Sequence, residues 1–155
     1  MGWFSRHTVD VDFGVDVVRF RHNGRAFELT PTLHVAPDRR RGETLRRVCA
    51  IGDRDGFPPD AVHIPLLRDA TLPQDVADVK QEYFAVWWRV VFELFLARES
   101  LIWRKPLVRV LVRESANDAT RGEAAALIRH AALAGGAHSV DITLERGGGH
   151  TARTG

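Results

Sequence analysis

Two acidic residues near the start of the chain could take part in metal chemistry. Asp10 and Asp12 alternate with apolar residues in the segment Val-Asp-Val-Asp-Phe-Gly at positions 9 to 14. Side chains two residues apart on a strand point to the same face, so both carboxylates would meet on one side of a sheet. Converging carboxylates are what a nuclease that uses two metal ions requires. The further acids that could join them are Asp16, Glu82 and Asp141. A metal-dependent nuclease therefore stays open, although no basic groove accompanies these acids.

Other reactive side chains show no comparable pattern. The seven histidines lack metal-ligand spacing, and Cys49 is the only cysteine, which excludes a disulfide within the chain and favours a reducing cytoplasm. The net charge of +2 gives no electrostatic case for nucleic acid as a partner. Five arginines between positions 39 and 47 form either a solvated loop or a contact to phosphate or anionic lipid. We assign no catalytic residue and no metal site from these patterns.

The elements that must position the acids follow from periodicity. Apolar alternation predicts strands at 9–13 and 17–21, and an Asn-Gly turn at 23–24 leads to a third strand at 26–30. Shorter strands are expected at 33–36 and 48–52. Helices are predicted at about 74–98 and 120–134, each followed by an apolar strand, at 107–112 and 139–144. The order β-β-β-α-β-α-β predicts an α/β fold, a mixed sheet with helices packed on it, in the ribonuclease H-like arrangement that actin, sugar kinases and integrase-type nucleases share.

The first predicted helix is apolar almost all round. Its polar stripe is narrow, and a helix of this kind is buried on several sides. Either loops and the second helix cover it, or part of its surface belongs to another subunit or to a membrane. On the second reading the aromatic residues that would anchor a partner are Trp87, Trp88, Phe92 and Phe95.

The two ends of the chain have distinct compositions. Trp3 and Phe4 lie beside Arg6 and either contact a membrane surface or form a mobile end. No run is long and apolar enough for a signal peptide or a membrane span. The Gly-rich polar segment at 146–155 is predicted to be a disordered tail, which leaves one domain at 1–145.

Four segments carry a resemblance to a known family. Positions 8–14, Thr-Val-Asp-Val-Asp-Phe-Gly, stand where that family has its first phosphate strand. Positions 49–53 (Cys-Ala-Ile-Gly-Asp), 64–70 (Ile-Pro-Leu-Leu-Arg-Asp-Ala) and 131–140 (Ala-Ala-Leu-Ala-Gly-Gly-Ala-His-Ser-Val) resemble three later motifs in the same order. The family is MreB, the bacterial actin that organises cell-wall synthesis, and the similarity runs from about residue 3 to residue 142. The resemblance covers the N-terminal half of the family's fold, actin-like domain I.

The resemblance implies a phosphate and Mg²⁺ site at Asp12 and Gly14, but the surrounding residues depart from the family pattern. Where the family has a hydroxyl residue and then Asn-Thr after the glycine, this chain has Val-Asp-Val-Val at 15–18. Valine donates no hydrogen bond to phosphate, and Asp16 adds a negative charge that repels it. The second half of the actin fold, which carries the other phosphate loop, has no counterpart in this sequence.

We therefore expect an interaction protein without ATPase activity and without a required cofactor, in which any ATP or Mg²⁺ site is vestigial. Its expected partners are a full-length MreB-like protein or a second copy of itself. Its expected location is the cytoplasm, at times against the inner face of the membrane. A residual nucleotide-binding function is the main alternative.

Overall fold

The computed structural model describes residues 8–14, 16–37, 46–52, 60–67, 72, 74–77, 79–96, 105–113 and 118–145. The strands are β1 (Thr8–Phe13), β2 (Val18–His22), β3 (Arg25–Leu29), β4 (Thr32–Pro37), β5 (Arg46–Ile51), β6 (Val62–Pro65), β7 (Leu107–Val112) and β8 (Ser139–Leu144). The helices are α1 (Gln74–Ala77), α2 (Lys80–Leu96) and α3 (Asp118–Gly135).

The main sheet has five strands in the order β3-β2-β1-β7-β8. The first three strands form an antiparallel meander, and β7 and β8 continue it in parallel with β1. The turn between β2 and β3 has positive φ at Asn23 (49°) and Gly24 (75°), as expected for the type I′ hairpin that Asn-Gly favours. These features confirm the predicted α/β, ribonuclease H-like arrangement.

Alternation along the strands separates two faces of this sheet. Val9, Val11 and Phe13 of β1 are buried against the helices, as are Val108 and Val110 of β7. The residues between them point the other way, which places Asp10 and Asp12 on the face that the helices leave open.

A second, three-stranded antiparallel sheet has the order β5-β4-β6 and was not predicted. In this part of the chain the sequence patterns predict only two short strands, at 33–36 and 48–52. The chain leaves the first sheet at Pro31, where the amide of Thr32 donates to the carbonyl of Thr30 (2.8 Å) in a tight turn over three residues. Leu33, Val35 and Ile64 then join the core that the five-stranded sheet begins.

The helix predicted at 74–98 is divided into α1 and α2. Val79 lies between them, and its amide donates to the carbonyl of Val76 (3.3 Å), a spacing of three residues rather than the four of an α-helix. The predicted helix at 120–134 corresponds to α3. It ends in two hydrogen bonds, from the amide of Ala137 to Ala132 O and from that of Gly136 (φ 123°) to Leu133 O, the Schellman pattern that a glycine favours.

The aromatic residues of α2 lie in the core and do not form a docking surface. Trp87 and Trp88 are 0% exposed and Phe92 is 1% exposed, so the prediction that these three side chains contact a partner is wrong. The centroid of the Phe13 ring is 5.8 Å from that of Trp87 and 5.9 Å from that of Trp88, and α3, β4 and β5 also contact α2. The helix α2 is apolar almost all round because both sheets and α3 pack on it.

Several expectations lie outside the described residues. These concern the side chain of Phe95, the residues Trp3 and Phe4, the arginines at 39–41, the side chains of Arg46 and Arg47, and the tail at 146–155. None of the helices in the described part of the chain is long and apolar enough to cross a membrane.

Candidate functional site at the carboxyl end of the five-stranded sheet

The parallel pairing of β1 with β7 brings two distant parts of the chain together at one end of the sheet. Phe13 is paired with Val112, and the amide of Arg113 donates to the carbonyl of Phe13 (2.9 Å). On the other side of β7 the amide of Glu145 donates to Val112 O (2.9 Å). The residues just beyond β7 and β8 therefore stand beside the end of β1, where the sequence predicted a phosphate site.

The side chain of Arg113 forms an ion pair with Asp12 at this end of the sheet. Its Nε and Nη2 donate to the two carboxylate oxygens of Asp12, and its Nη1 donates to Glu145 Oε1 (3.0 Å). The Asp12 side chain is 13% exposed and that of Arg113 is 45% exposed. The result is a partly buried, bidentate ion pair that a second carboxylate extends at its rim.

The ion pair fixes the charge of Asp12. Hydrogen bonding by Arg113 lowers the pKa of Asp12 below its ordinary value, and the positive charges of Arg113, Arg19 and Arg21 act in the same direction against the opposing effect of burial. The same hydrogen bond raises the pKa of Arg113. Asp12 is therefore an ionised carboxylate whose two oxygens both accept from a guanidinium of this chain.

The turn after β1 also makes its hydrogen bonds internally. The amide of Gly14 donates to the carbonyl of Val17 (3.0 Å), and a Cβ placed on Gly14 would lie 2.8 Å from that oxygen. A phosphate group that approached Gly14 would therefore have to displace this bond. Asp12 and Gly14 remain predicted residues of a vestigial site, and each has a partner within the chain.

The open face of the sheet carries a shallow depression of about 770 Å³. Among its lining residues are Asp10, Asp12 and Asp141, together with Arg21, Arg109, Arg113 and Arg129. The sequence thus predicted correctly that Asp10 and Asp12 share a face, and Asp141, which was also named from the sequence, lies on the same face. Arg109 donates to both oxygens of Asp10, at 2.8 and 3.1 Å.

The remaining acids named from the sequence do not join this set. Glu82 is on α2, which covers the opposite face, and Asp16 lies in the turn before β2. Across the residues that the structure describes, no group of three or more His, Cys, Asp or Glu side chains is placed to hold a metal ion. The converging carboxylates of a two-metal nuclease are not assembled within this part of the chain.

The arginines of the site were missed from the sequence. Arg109 alternates with buried valines in β7, and Arg113 follows the last residue of the strand. Their role depends on the pairing of β1 with β7, which places Asp10 opposite Arg109 although the two residues are 99 positions apart in sequence. An arginine at an outward position of a central strand was the available signal, and only the strand pairing shows which acid it meets.

No protein family and no curated protein matches the sequence. Solved structures do match. A non-polymerising mutant of MamK bound to AMPPNP shares 18% identity and a TM-score of 0.58, over 90% of this chain and 41% of that one. MreB5 of Spiroplasma citri matches in its AMPPNP-bound form (13% identity, TM-score 0.50) and in its ADP-bound form (12%, 0.50), over 89% of this chain and 38% of the other in both cases. The chain thus spans about two fifths of the length of these neighbours, and at such low identity the similarity establishes the fold, which is part of an actin-like fold.

Proposed function

We propose that this chain is an MreB-like cytoskeletal interaction protein that does not hydrolyse ATP. It associates with a full-length MreB-like protein or with a second copy of itself, in the cytoplasm and at the inner face of the membrane, in support of cell shape or cell-wall synthesis. The actin-like fold supports the class of protein. The resemblance of the sequence motifs to MreB supports the choice within that class.

The ion pair between Asp12 and Arg113 is the observation that carries the non-hydrolytic part of the proposal. A catalytic Mg²⁺ at Asp12 would need carboxylate oxygens that a guanidinium already occupies. An Mg²⁺ that displaced Arg113 would then lie close to its positive charge, and two unit charges about 4 Å apart at a protein surface already repel by roughly 4 kcal/mol. The Gly14 amide also donates to an acceptor within the chain, the carbonyl of Val17. Asp12 is therefore not free to bind Mg²⁺, and Gly14 is not free to bind phosphate.

The first test is sedimentation of the purified chain with a full-length MreB from the same organism, with and without Mg-ATP. We expect co-sedimentation or self-association that Mg-ATP does not change, and no release of phosphate above background. The proposal would be refuted if the chain does not co-sediment with MreB, stays monomeric and hydrolyses ATP.

A matched pair of variants tests the role of the ion pair. Arg113→Gln frees the oxygens of Asp12, while Arg109→Gln removes the similar pair at Asp10 on the same face. We expect calorimetry to detect Mg²⁺ binding in Arg113→Gln only, because this substitution frees the carboxylate of Asp12 and leaves the hydrogen bond of Gly14 in place. Tight binding of Mg-ATP by the unmodified chain would contradict this account and would favour the residual nucleotide-binding alternative.

A further inference from the structure

Two histidines meet on the three-stranded sheet although 29 residues separate them in sequence. His34 of β4 is directly opposite His63 of β6 in an antiparallel pair. The Nε2 atom of His34 lies 3.3 Å from the Nδ1 atom of His63, and the ring centroids are 4.7 Å apart. This contact follows from strand pairing and does not resemble the short spacings by which metal ligands are recognised in a sequence.

The separation of these nitrogens suits a shared metal ion. Zinc binds imidazole nitrogen at about 2.0–2.1 Å in tetrahedral geometry, which places two such nitrogens roughly 3.3 Å apart. We propose that His34 Nε2 and His63 Nδ1 form a two-histidine site for a divalent cation of the zinc class, with water completing the coordination. Neutral imidazole suits zinc, copper and nickel, whereas Mg²⁺ and Ca²⁺ prefer oxygen ligands.

The surroundings provide both access and rigidity. His34 is 7% exposed, so packing restricts its ring, while His63 is exposed and opens the pair to solvent. Cys49 lies nearby on β5, where its Sγ donates to the carbonyl of His34 (3.3 Å). Because no third donor is placed to join the pair within the described residues, the site is assigned to the two histidines alone.

An ion at this position would join β4 to β6. These strands belong to the sheet that packs on α2, so the ion would stabilise the folded state by binding it in preference to the unfolded chain. We therefore expect the melting temperature to rise with zinc concentration and not with magnesium concentration.

The test is calorimetric titration of the full metal-free chain with zinc chloride, for the unmodified chain and three variants. His63→Gln removes an exposed ligand with little risk to folding. His138→Gln changes an exposed histidine between α3 and β8, and Cys49→Ser removes the nearby thiol. We expect one zinc ion at the histidine pair and at least a tenfold loss of affinity in His63→Gln, since disturbing even the outer partners of a metal ligand costs about 10–100-fold. His138→Gln and Cys49→Ser should bind as the unmodified chain does.

Nitrogen NMR of the histidine rings gives a second readout that does not depend on a variant. Zinc should shift Nε2 of His34 and Nδ1 of His63 together, at the same molar ratio. The proposal is overturned if no saturable zinc binding occurs, if His63→Gln binds as well as the unmodified chain, or if only Cys49→Ser loses binding. In the first case the two rings simply share a hydrogen bond.

Discussion

The close contact of Gly135 with α2 predicts opposite effects for two glycine-to-alanine substitutions in α3. Gly135, the last residue of the helix, is buried against α2. A Cβ at this position would lie 2.6 Å from Trp88 Cβ, 2.7 Å from Ala85 O and 3.1 Å from Arg89 N. Gly122, near the start of the same helix, is exposed, and a Cβ there would meet nothing within 4 Å.

The expected magnitudes follow from these distances. Alanine in place of glycine inside a helix gains about 0.5–1 kcal/mol from reduced freedom of the unfolded chain, which applies to both positions. At Gly135 two of the three close atoms belong to the backbone of α2, so no side-chain rotation relieves the contact and the helices must separate. Overpacking of this kind costs typically 1–3 kcal/mol. We expect Gly135→Ala to lower the free energy of unfolding by roughly 1–2 kcal/mol and Gly122→Ala to raise it by up to about 1 kcal/mol.

Urea denaturation followed by far-ultraviolet circular dichroism measures both values. The midpoint should move in opposite directions while the slope stays unchanged, since neither substitution alters the surface exposed on unfolding. In a chain of this size, 1 kcal/mol corresponds to a shift in melting temperature of about 2–4 °C. A Gly135→Ala variant as stable as Gly122→Ala would refute the packing of α3 on α2 described above.

Two further substitutions test the ion pair and the core. Arg113→Gln should raise the pKa of Asp12, measured by carbon NMR of the carboxyl group, and lower the free energy of unfolding by about 1 kcal/mol at pH 7, a value kept small because Arg113 is half exposed. The pKa of Asp12 is lower in the folded chain than in the unfolded one, so this stabilisation is present above pH 4 and is lost as the pH falls through the folded value. The free energies of unfolding of the two proteins should therefore become equal in acid. A difference that does not change with pH would contradict the assignment. Trp88→Ala should lower the free energy of unfolding by about 3–5 kcal/mol. Trp88→Phe should lower it by less than about 2 kcal/mol, because it keeps a ring and removes an indole N–H that has no hydrogen-bond partner among the described residues. Equal losses in the two variants would contradict the packing of this ring in the core.

Periodicity was sufficient to predict the five-stranded sheet because β1, β2 and β7 each have buried residues that face the core. The alternation in β1 and β2 and the apolar run in β7 follow directly from that burial. The turn at Asn23-Gly24 could be predicted from residue type, since few other pairs adopt positive φ at both positions. Local sequence and tertiary structure agree throughout this part of the chain.

The second sheet could not be predicted in the same way, and this omission explains the error about α2. Its strands are short, and β4 is buried at four consecutive positions, so the alternation that marks a half-buried strand is absent. Without this sheet the chain lacked the material to cover a helix that is apolar all round. From the sequence, the excess aromatic surface fits either a partner or a cover within the chain, and in the structure α3, β4 and β5 contact the helix inside the same molecule.

The candidate site depends even more on long-range pairing. From the sequence, Asp12 is an acid before a glycine, which resembles a phosphate-binding turn. In the structure it is one half of an ion pair whose other half lies 101 residues away. The residues that build the sheet and those at its end therefore support different conclusions. The buried valines and phenylalanines specify an actin-like fold, the frame of the molecule. Arg113 neutralises the charge of Asp12 at the end of that frame. A function inferred from the frame alone would be nucleotide hydrolysis. The ion pair at its end is the reason we propose a protein that does not hydrolyse ATP.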